Sequence, residues 1–231
     1  MYIKPRWFEN LKNARILAVN PPVYDFAWFD LWAKPAGLLN FLGYLQSLGN
    51  SVELIDCMYE GRTRPISHGR WRVRREERPK PAALHNVPRS YYRFGLSEED
   101  FRLRLLEGPR PDIILLTSIM TYWYPGVAEA IERLRAAFPN RPIILGGIYA
   151  TLCPDHAATL GAYQVLPASA TPYADSLPLN LYPDPGHALI STSRGCPRRC
   201  HYCASALINP HFSPRPLAEI LNDLDSQVAG N

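Results

Sequence analysis

Arg15-Ile16-Leu17-Ala18-Val19-Asn20-Pro21-Pro22 is the stretch from which the fold is read. It is a short apolar run closed by two prolines, and proline cannot continue a central sheet ladder. The run therefore reads as a buried strand over Arg15–Asn20. Moving outward, residues 35–49 place Leu38, Leu39, Phe41, Leu42, Tyr44, Leu45 and Leu48 at helical spacing. Pro35 suits the first turn of that helix and Gly49-Asn50 its stop. Ser51–Cys57, with Val52, Leu54 and Ile55 apolar, reads as a second strand. A strand–helix–strand unit favours a parallel pair joined by a right-handed crossover.

The alternation continues. Residues 97–107 read as a short helix capped by Ser97, and residues 112–117 as a third buried strand. A helix is expected over Val127–Phe138, with Ala130, Ile131, Leu134 and Ala137 on one face, then a strand over Pro142–Leu145. A helical segment at Pro154–Leu160 and a weak strand at Tyr163–Leu166 complete the series. The expected class is α/β: residues 1–167 form a doubly wound parallel sheet. Ligands of such sheets bind beyond the carboxyl ends of the strands, near the switch in strand order. The loops expected there are Pro21–Trp32, rich in aromatics (Tyr24, Phe26, Trp28, Phe29, Trp32), Ser118–Gly126, and Gly146–Ala150. Gly146 and Gly147 would let backbone approach a flat ligand.

Residues 58–96 interrupt this rhythm as an insertion crowded with Arg62, Arg64, Arg70, Arg72, Arg74, Arg75, Arg78 and Lys80. Its length and proline content read first as an extended loop with solvated charges, docked through Trp71, Tyr91, Tyr92 and Phe94. A nucleic-acid patch is the second reading. The formal net charge of +4 gives no argument for nucleic acid. Across 231 residues, 47% hydrophobic and 20% charged content is that of a globular chain. No apolar run approaches the ~20 residues that span a bilayer, and the first residues show no signal peptide. No membrane contact and a reducing, cytoplasmic setting are expected. Residues 168–187, carrying Pro172, Pro178, Pro183 and Pro185, lack periodicity and read as a linker.

Chemistry concentrates in Ser193-Arg194-Gly195-Cys196-Pro197-Arg198-Arg199-Cys200-His201-Tyr202-Cys203. Three cysteines stand as C-x₃-C-x₂-C, after the run Ala188-Leu189-Ile190-Ser191-Thr192. Three close thiolates can hold three corners of an iron–sulfur cube and leave the fourth iron open. A disulfide framework suits an even cysteine count in a small secreted chain; this chain has 5 cysteines. Zinc is the rival reading, with His201, His187 or His211 as a fourth ligand, but zinc sites usually pair two such hooks. Cys57 and Cys153 read as buried structural thiols, and an amphipathic helix over Pro214–Val228 closes the chain.

The three-cysteine loop resembles the cluster loop of radical S-adenosylmethionine (SAM) enzymes, including the aromatic Tyr202 before the last cysteine. The resemblance implies Cys196, Cys200 and Cys203 as ligands of a 4Fe–4S cluster whose open iron binds SAM, with the Tyr202 backbone near the adenine. It also implies an electron donor such as a flavodoxin or ferredoxin, and radical C–H chemistry such as methyl transfer. The segment Gly146-Gly147-Ile148-Tyr149-Ala150 with Pro154-Asp155-His156-Ala157 is similar to the fourth-strand loop of the cobalamin-binding domain in cobalamin-dependent radical SAM proteins. That resemblance covers roughly residues 14–167. It implies a corrin near Pro22, Ser118, Met120, Tyr122, Gly146, Gly147 and Tyr149. The Asp-x-His-x-x-Gly string that supplies a cobalt ligand in cobalamin mutases and methionine synthase is not present here, and His156 reads as part of a helix start.

Residues 188–231 are expected to be the start of a radical SAM partial TIM barrel: one strand, the cluster loop and one helix. A single βα unit cannot bury its own strand. The expectation is therefore an enzyme cut short early in its barrel and inactive alone. The alternative is a non-catalytic cobalamin- or cluster-binding module serving a partner chain.

Overall fold

Alternate residues of the first strand face two different cores. In β1 (Arg15–Asn20), Leu17 and Val19 belong to one buried cluster, and Ile16 and Ala18 to another. Both faces of the strand are covered, which is why it reads as a continuous apolar run rather than an alternating one. The computed structural model describes residues 7–27, 34–66, 70–172, 174 and 177–229. Trp28, Phe29 and Trp32 of the aromatic loop lie outside the described residues.

The chain runs on through β2 (Val23–Asp25), α1 (Ala36–Ser47), β3 (Ser51–Asp56) and α2 (Cys57–Glu60). The insertion supplies β4 (Arg62–Pro65), β5 (Trp71–Val73), β6 (Arg75–Arg78) and β7 (Tyr91–Phe94). Then come α3 (Glu98–Glu107), β8 (Ile113–Leu116), α4 (Tyr124–Ala137), β9 (Ile143–Leu145), α5 (Gly147–Leu152), α6 (Pro154–Thr159) and β10 (Gln164–Val165). The last elements are β11 (Ser193–Arg194), α7 (Ser205–Ile208), β12 (Ser213–Pro214) and α8 (Leu217–Ala229).

The main sheet has five strands in the order β10-β9-β8-β1-β3, every neighbouring pair parallel. In order of appearance this is 2-1-3-4-5, with the switch between β1 and β8. Helices α3, α4 and α6 cover one face through Phe101, Leu105, Val127, Ile131, Leu134 and Ala157. Helix α1 covers the other through Leu38, Leu39, Phe41, Leu42 and Leu45. The protein is therefore a Rossmann-like α/β fold, doubly wound as expected. Among the described residues no helix is long and apolar enough to cross a membrane.

The segment 168–187 behaves differently from a free linker. Leu179 and Tyr182 are buried against the α1 face, and the Tyr182 hydroxyl donates to Asp56 at 2.8 Å. Asp56 ends β3 and caps α2, accepting from the Met58 and Tyr59 amides at 3.0 and 3.1 Å and from Asn20 at 2.9 Å. Burial pushes the Asp56 carboxyl above its usual range, while the Asn20, Tyr182 and backbone hydrogen bonds pull it down. Scattered anchors such as Leu179 and Tyr182 leave no periodic pattern, so the docking was invisible to a search for helix or strand spacing.

The insertion is also more ordered than an extended loop. β2, β7 and β6 form an antiparallel sheet in that order, and β4 pairs with β5. Tyr24 and Phe26 of the aromatic loop turn toward Tyr91, with ring centroids 6.1 and 5.2 Å apart. Arg93 on β7 is buried and makes two bonds to Glu129 of α4, at 2.8 and 2.7 Å. The Tyr24 hydroxyl donates to the same carboxylate at 2.8 Å. Expecting every charge of the insertion to be solvated thus misses its one deeply buried arginine.

Candidate cofactor crevice and cysteine loop

The carboxyl ends of β8 and β9 open into a cavity of about 410 Å³. Its floor is apolar, from Leu38 and Phe41 of α1 with Leu115, Ile144 and Leu166 of the sheet. Its rim is polar: Lys34, Thr117, Ser118, the Gly146-Gly147 backbone and His187. A largely apolar pocket with a few polar groups at its edge suits a flat organic ligand. A smaller cleft beside it, at the switch between β1 and β8, is lined by Pro21, Pro22, Val23, Met58, Ser118 and Trp123.

Gly147 shapes this rim. Its φ is +94°, and a Cβ there would stand 2.4 Å from the Ser118 carbonyl oxygen and 2.7 Å from Thr117 Oγ1. The β8 and β9 loops therefore touch backbone to backbone. The segment after Gly146, expected as a loop, winds into α5 at once. Lys34 is buried at 5% exposure. Its Nζ donates to the carbonyls of Pro185 and His187, the latter at 3.2 Å, and lies 5.6 Å from the centre of the Tyr182 ring. It pins residues 185–187 across the mouth of the cavity.

The expected corrin contacts separate into groups. Ser118, Gly146 and Gly147 line the main cavity, and Pro22 with Ser118 lines the adjoining cleft. Met120 packs on the cluster of Val23, Met58, Phe94 and Trp123, and Tyr122 is exposed. Tyr149 departs from expectation: at 1% exposure it belongs to the core on the α4 face, its hydroxyl 2.6 Å from His156 Nδ1. The turn into α5 swings its side chain inward, away from the cavity. His156 is engaged there and against the Tyr124 ring, consistent with its reading as part of a helix start. Lys34, Thr117, Thr171 and Leu189 line the cavity without having been singled out; the polar residue preceding Ser118 at the end of β8 was the one available signal.

The strand expected at residues 188–192 does not form; the regular pair begins at Ser193, where β11 meets β12 antiparallel. The Thr192 carbonyl accepts from the Arg215 N–H at 3.0 Å beside the β11–β12 pair, but among the described residues no strand pairs with residues 188–191. The Gln227 side chain takes that place for Leu189, accepting from its N–H at 2.9 Å and donating to its carbonyl at 3.0 Å. Arg215 donates to the Ser191 carbonyl at 2.8 Å and pairs with buried Asp223 at 3.1 Å. These bonds anchor α8 to the start of the cysteine loop, and the β11–β12 pair clamps both ends of it.

Gly195 has a φ of +68°, and a Cβ there would lie 2.3 Å from the His211 carbonyl oxygen. Cys196 and Cys203 are exposed and Cys200 is half-buried, none of them in a disulfide. The donor set fits an iron–sulfur cluster in kind, since thiolates are its usual ligands. It does not fit in placement: among the described residues no three His, Cys, Asp or Glu side chains are gathered to hold a metal ion. Holding a cluster requires the loop to draw the thiols together. Tyr202 is 93% exposed.

Cys203 Sγ lies 3.0 Å from Ser205 Oγ, and the side-chain hydrogen bond from Ser205 holds the thiol below its ordinary pKa. A lowered pKa means more thiolate at a given pH. Ser205→Ala should therefore move the midpoint of Cys203 alkylation by iodoacetamide to higher pH, as read by peptide mass mapping. An unchanged midpoint would show that the bond has no effect on the thiolate.

The fold and cavity define a class: a Rossmann-like α/β protein with a ligand-sized crevice at the carboxyl ends of its strands and a three-cysteine loop tethered behind it. No protein-family model matches the chain, and no curated protein matches it.

Proposed function

We propose that this chain carries the cofactor-binding part of a cobalamin-linked radical SAM enzyme. The observation that supports this best is a shared location. Helix α7, which leaves the cysteine loop, lies against α5, the helix that starts at Gly147 on the cavity rim. Leu189, close before the loop, lines the same cavity. Two features that resemble two cofactor sites thus stand side by side.

In this reading the main cavity takes a flat part of the cobalamin between Leu38, Phe41, Ile144 and the Gly146-Gly147 backbone, with Thr117 and Ser118 offering hydroxyls at its edge. The apolar floor excludes water from the bound ring. Lys34, by holding Pro185 and His187, keeps the mouth in place. Cys196, Cys200 and Cys203 would hold a 4Fe–4S cluster once the loop draws their thiols together, with the Tyr202 backbone on the SAM side of the loop by the same resemblance. When bound, the cluster supplies one electron for reductive cleavage of SAM, and the cobalamin supplies a transferable methyl group. Leu217, Leu221 and Leu224 of α8 are exposed, which supports a barrel covered by further strand–helix units in the working enzyme.

The test is retention of hydroxocobalamin on gel filtration. Co-elution is expected for the native chain, with loss for Ser118→Trp, which fills the rim. Elution of all the corrin as free ligand from the native chain would remove the cobalamin part of the proposal.

A further inference from the structure

The arginines that follow α2 stand on a two-stranded ribbon instead of being scattered over a loop. β4 and β5 are antiparallel, with Arg64 directly opposite Arg72 and an irregularity between Arg62 and Arg64. Directly opposed residues share one face of a ribbon, and like charges placed so are destabilising. The ladder continues one step further, where the Arg74 amide donates to the Gly61 carbonyl at 2.8 Å. Arg72 and Arg74 are therefore two residues apart on one edge, about 6.7 Å along the strand, close to the separation of successive phosphates in a nucleic-acid strand.

The two faces of the ribbon differ. Arg62, Trp71 and Val73 are half-buried, and the Arg62 guanidinium lies over the rings of Tyr59 and Trp71, 4.3 and 5.6 Å from their centres. This face is stacked on the domain. Arg64, Arg72 and Arg74 are exposed, and among the described residues none of the three forms an ion pair. Neighbouring carboxylates are engaged elsewhere: Glu76 and Glu98 with Arg78, Glu98 also with Arg133, and Glu60 with Arg104. Glu77 stands on the adjoining sheet, opposite Tyr92.

A fold that keeps three unpaired guanidinium groups together, two of them face to face, bears a repulsion that a polyanion would relieve. Guanidinium forks match phosphate oxygens well. A protein partner would call for an apolar centre to its interface, whereas this face offers guanidinium groups. We propose that the ribbon formed by β4 and β5 is a docking surface for the phosphodiester backbone of a nucleic-acid strand, with Arg64, Arg72 and Arg74 each neutralising a phosphate. The ribbon rises from α2, which follows the carboxyl end of β3, the same end of the sheet on which the crevice opens. The inference stands apart from the cofactor reading and does not need it.

The experiment is fluorescence anisotropy of the full chain with labelled 20-nucleotide oligouridine and oligothymidine across a salt series. The logarithm of the association constant should fall linearly with the logarithm of salt concentration for both probes. Combining Arg64→Ala, Arg72→Ala and Arg74→Ala should reduce the slope by about 2 and weaken binding at low salt at least about tenfold, from ~0.7 counterions per single-strand phosphate contact. The corresponding three Arg→Lys changes should keep the slope, and Lys12→Ala, an exposed change before β1, should alter nothing. Absence of oligonucleotide binding at low salt would overturn the proposal. So would an unchanged slope in the triple alanine variant, or binding to polyglutamate in preference to both oligonucleotides.

Discussion

Glu129→Ala should destabilise the fold by about 3–5 kcal/mol, the usual consequence of removing one partner from a buried ion pair. The Arg93 side chain is 1% exposed and that of Glu129 10%, so truncation leaves a cation in the interior with its fork unfilled. Arg93 would keep the Leu96 carbonyl as an acceptor at 2.6 Å, which cannot balance the charge. Tyr24 would lose its acceptor as well, so the change loosens β2 and β7 together. Urea unfolding followed by circular dichroism measures the loss. The double change Arg93→Met with Glu129→Leu should recover most of it, because well-packed apolar residues often replace a buried pair without cost. A single-variant loss below about 1 kcal/mol would mean that the pair is solvated.

Gly147→Ala should be strongly damaging at the crevice, on the order of 3 kcal/mol. The left-handed backbone alone costs a side chain about 1–2 kcal/mol. The new methyl would also meet the Ser118 carbonyl oxygen at 2.4 Å and the Ser118 nitrogen at 2.8 Å. Both are backbone atoms of the loop after β8, so relief requires the two loops to part. The rim would widen, and hydroxocobalamin retention should fall along with stability. Stability equal to that of the native chain would refute the close approach of these loops.

The parallel sheet was legible because its strands are buried on both faces: Ile16–Val19 and Ile113–Leu116 are apolar runs long enough to stand out, and α1 has a broad apolar face. The insertion was not. Its strands β4 and β6 are built largely from arginine and glutamate, and their order comes from cross-strand partners and from Glu129, far away in sequence. The crevice was half legible. Ser118, Gly146 and Gly147 could be named from strand ends, whereas Lys34 and His187 come together through a fold-back across 153 residues. Tyr149 shows the limit of a motif: its position in the chain was noted, but the immediate start of α5 decides which way its ring points. In the cysteine loop, the spacing was plain and the clamps were not, since Gln227 and Arg215 act on Leu189 and Ser191 from α8 and its approach.

The central claim is that Cys196, Cys200 and Cys203 hold a 4Fe–4S cluster with one iron open to SAM. Anaerobic iron–sulfide reconstitution, followed by electron paramagnetic resonance of the dithionite-reduced chain with and without SAM, tests it most directly. The account predicts a 4Fe–4S signal that shifts when SAM is added and is lost in Cys200→Ala. A full cluster signal retained in Cys200→Ala, or no cluster in the native chain, would contradict it.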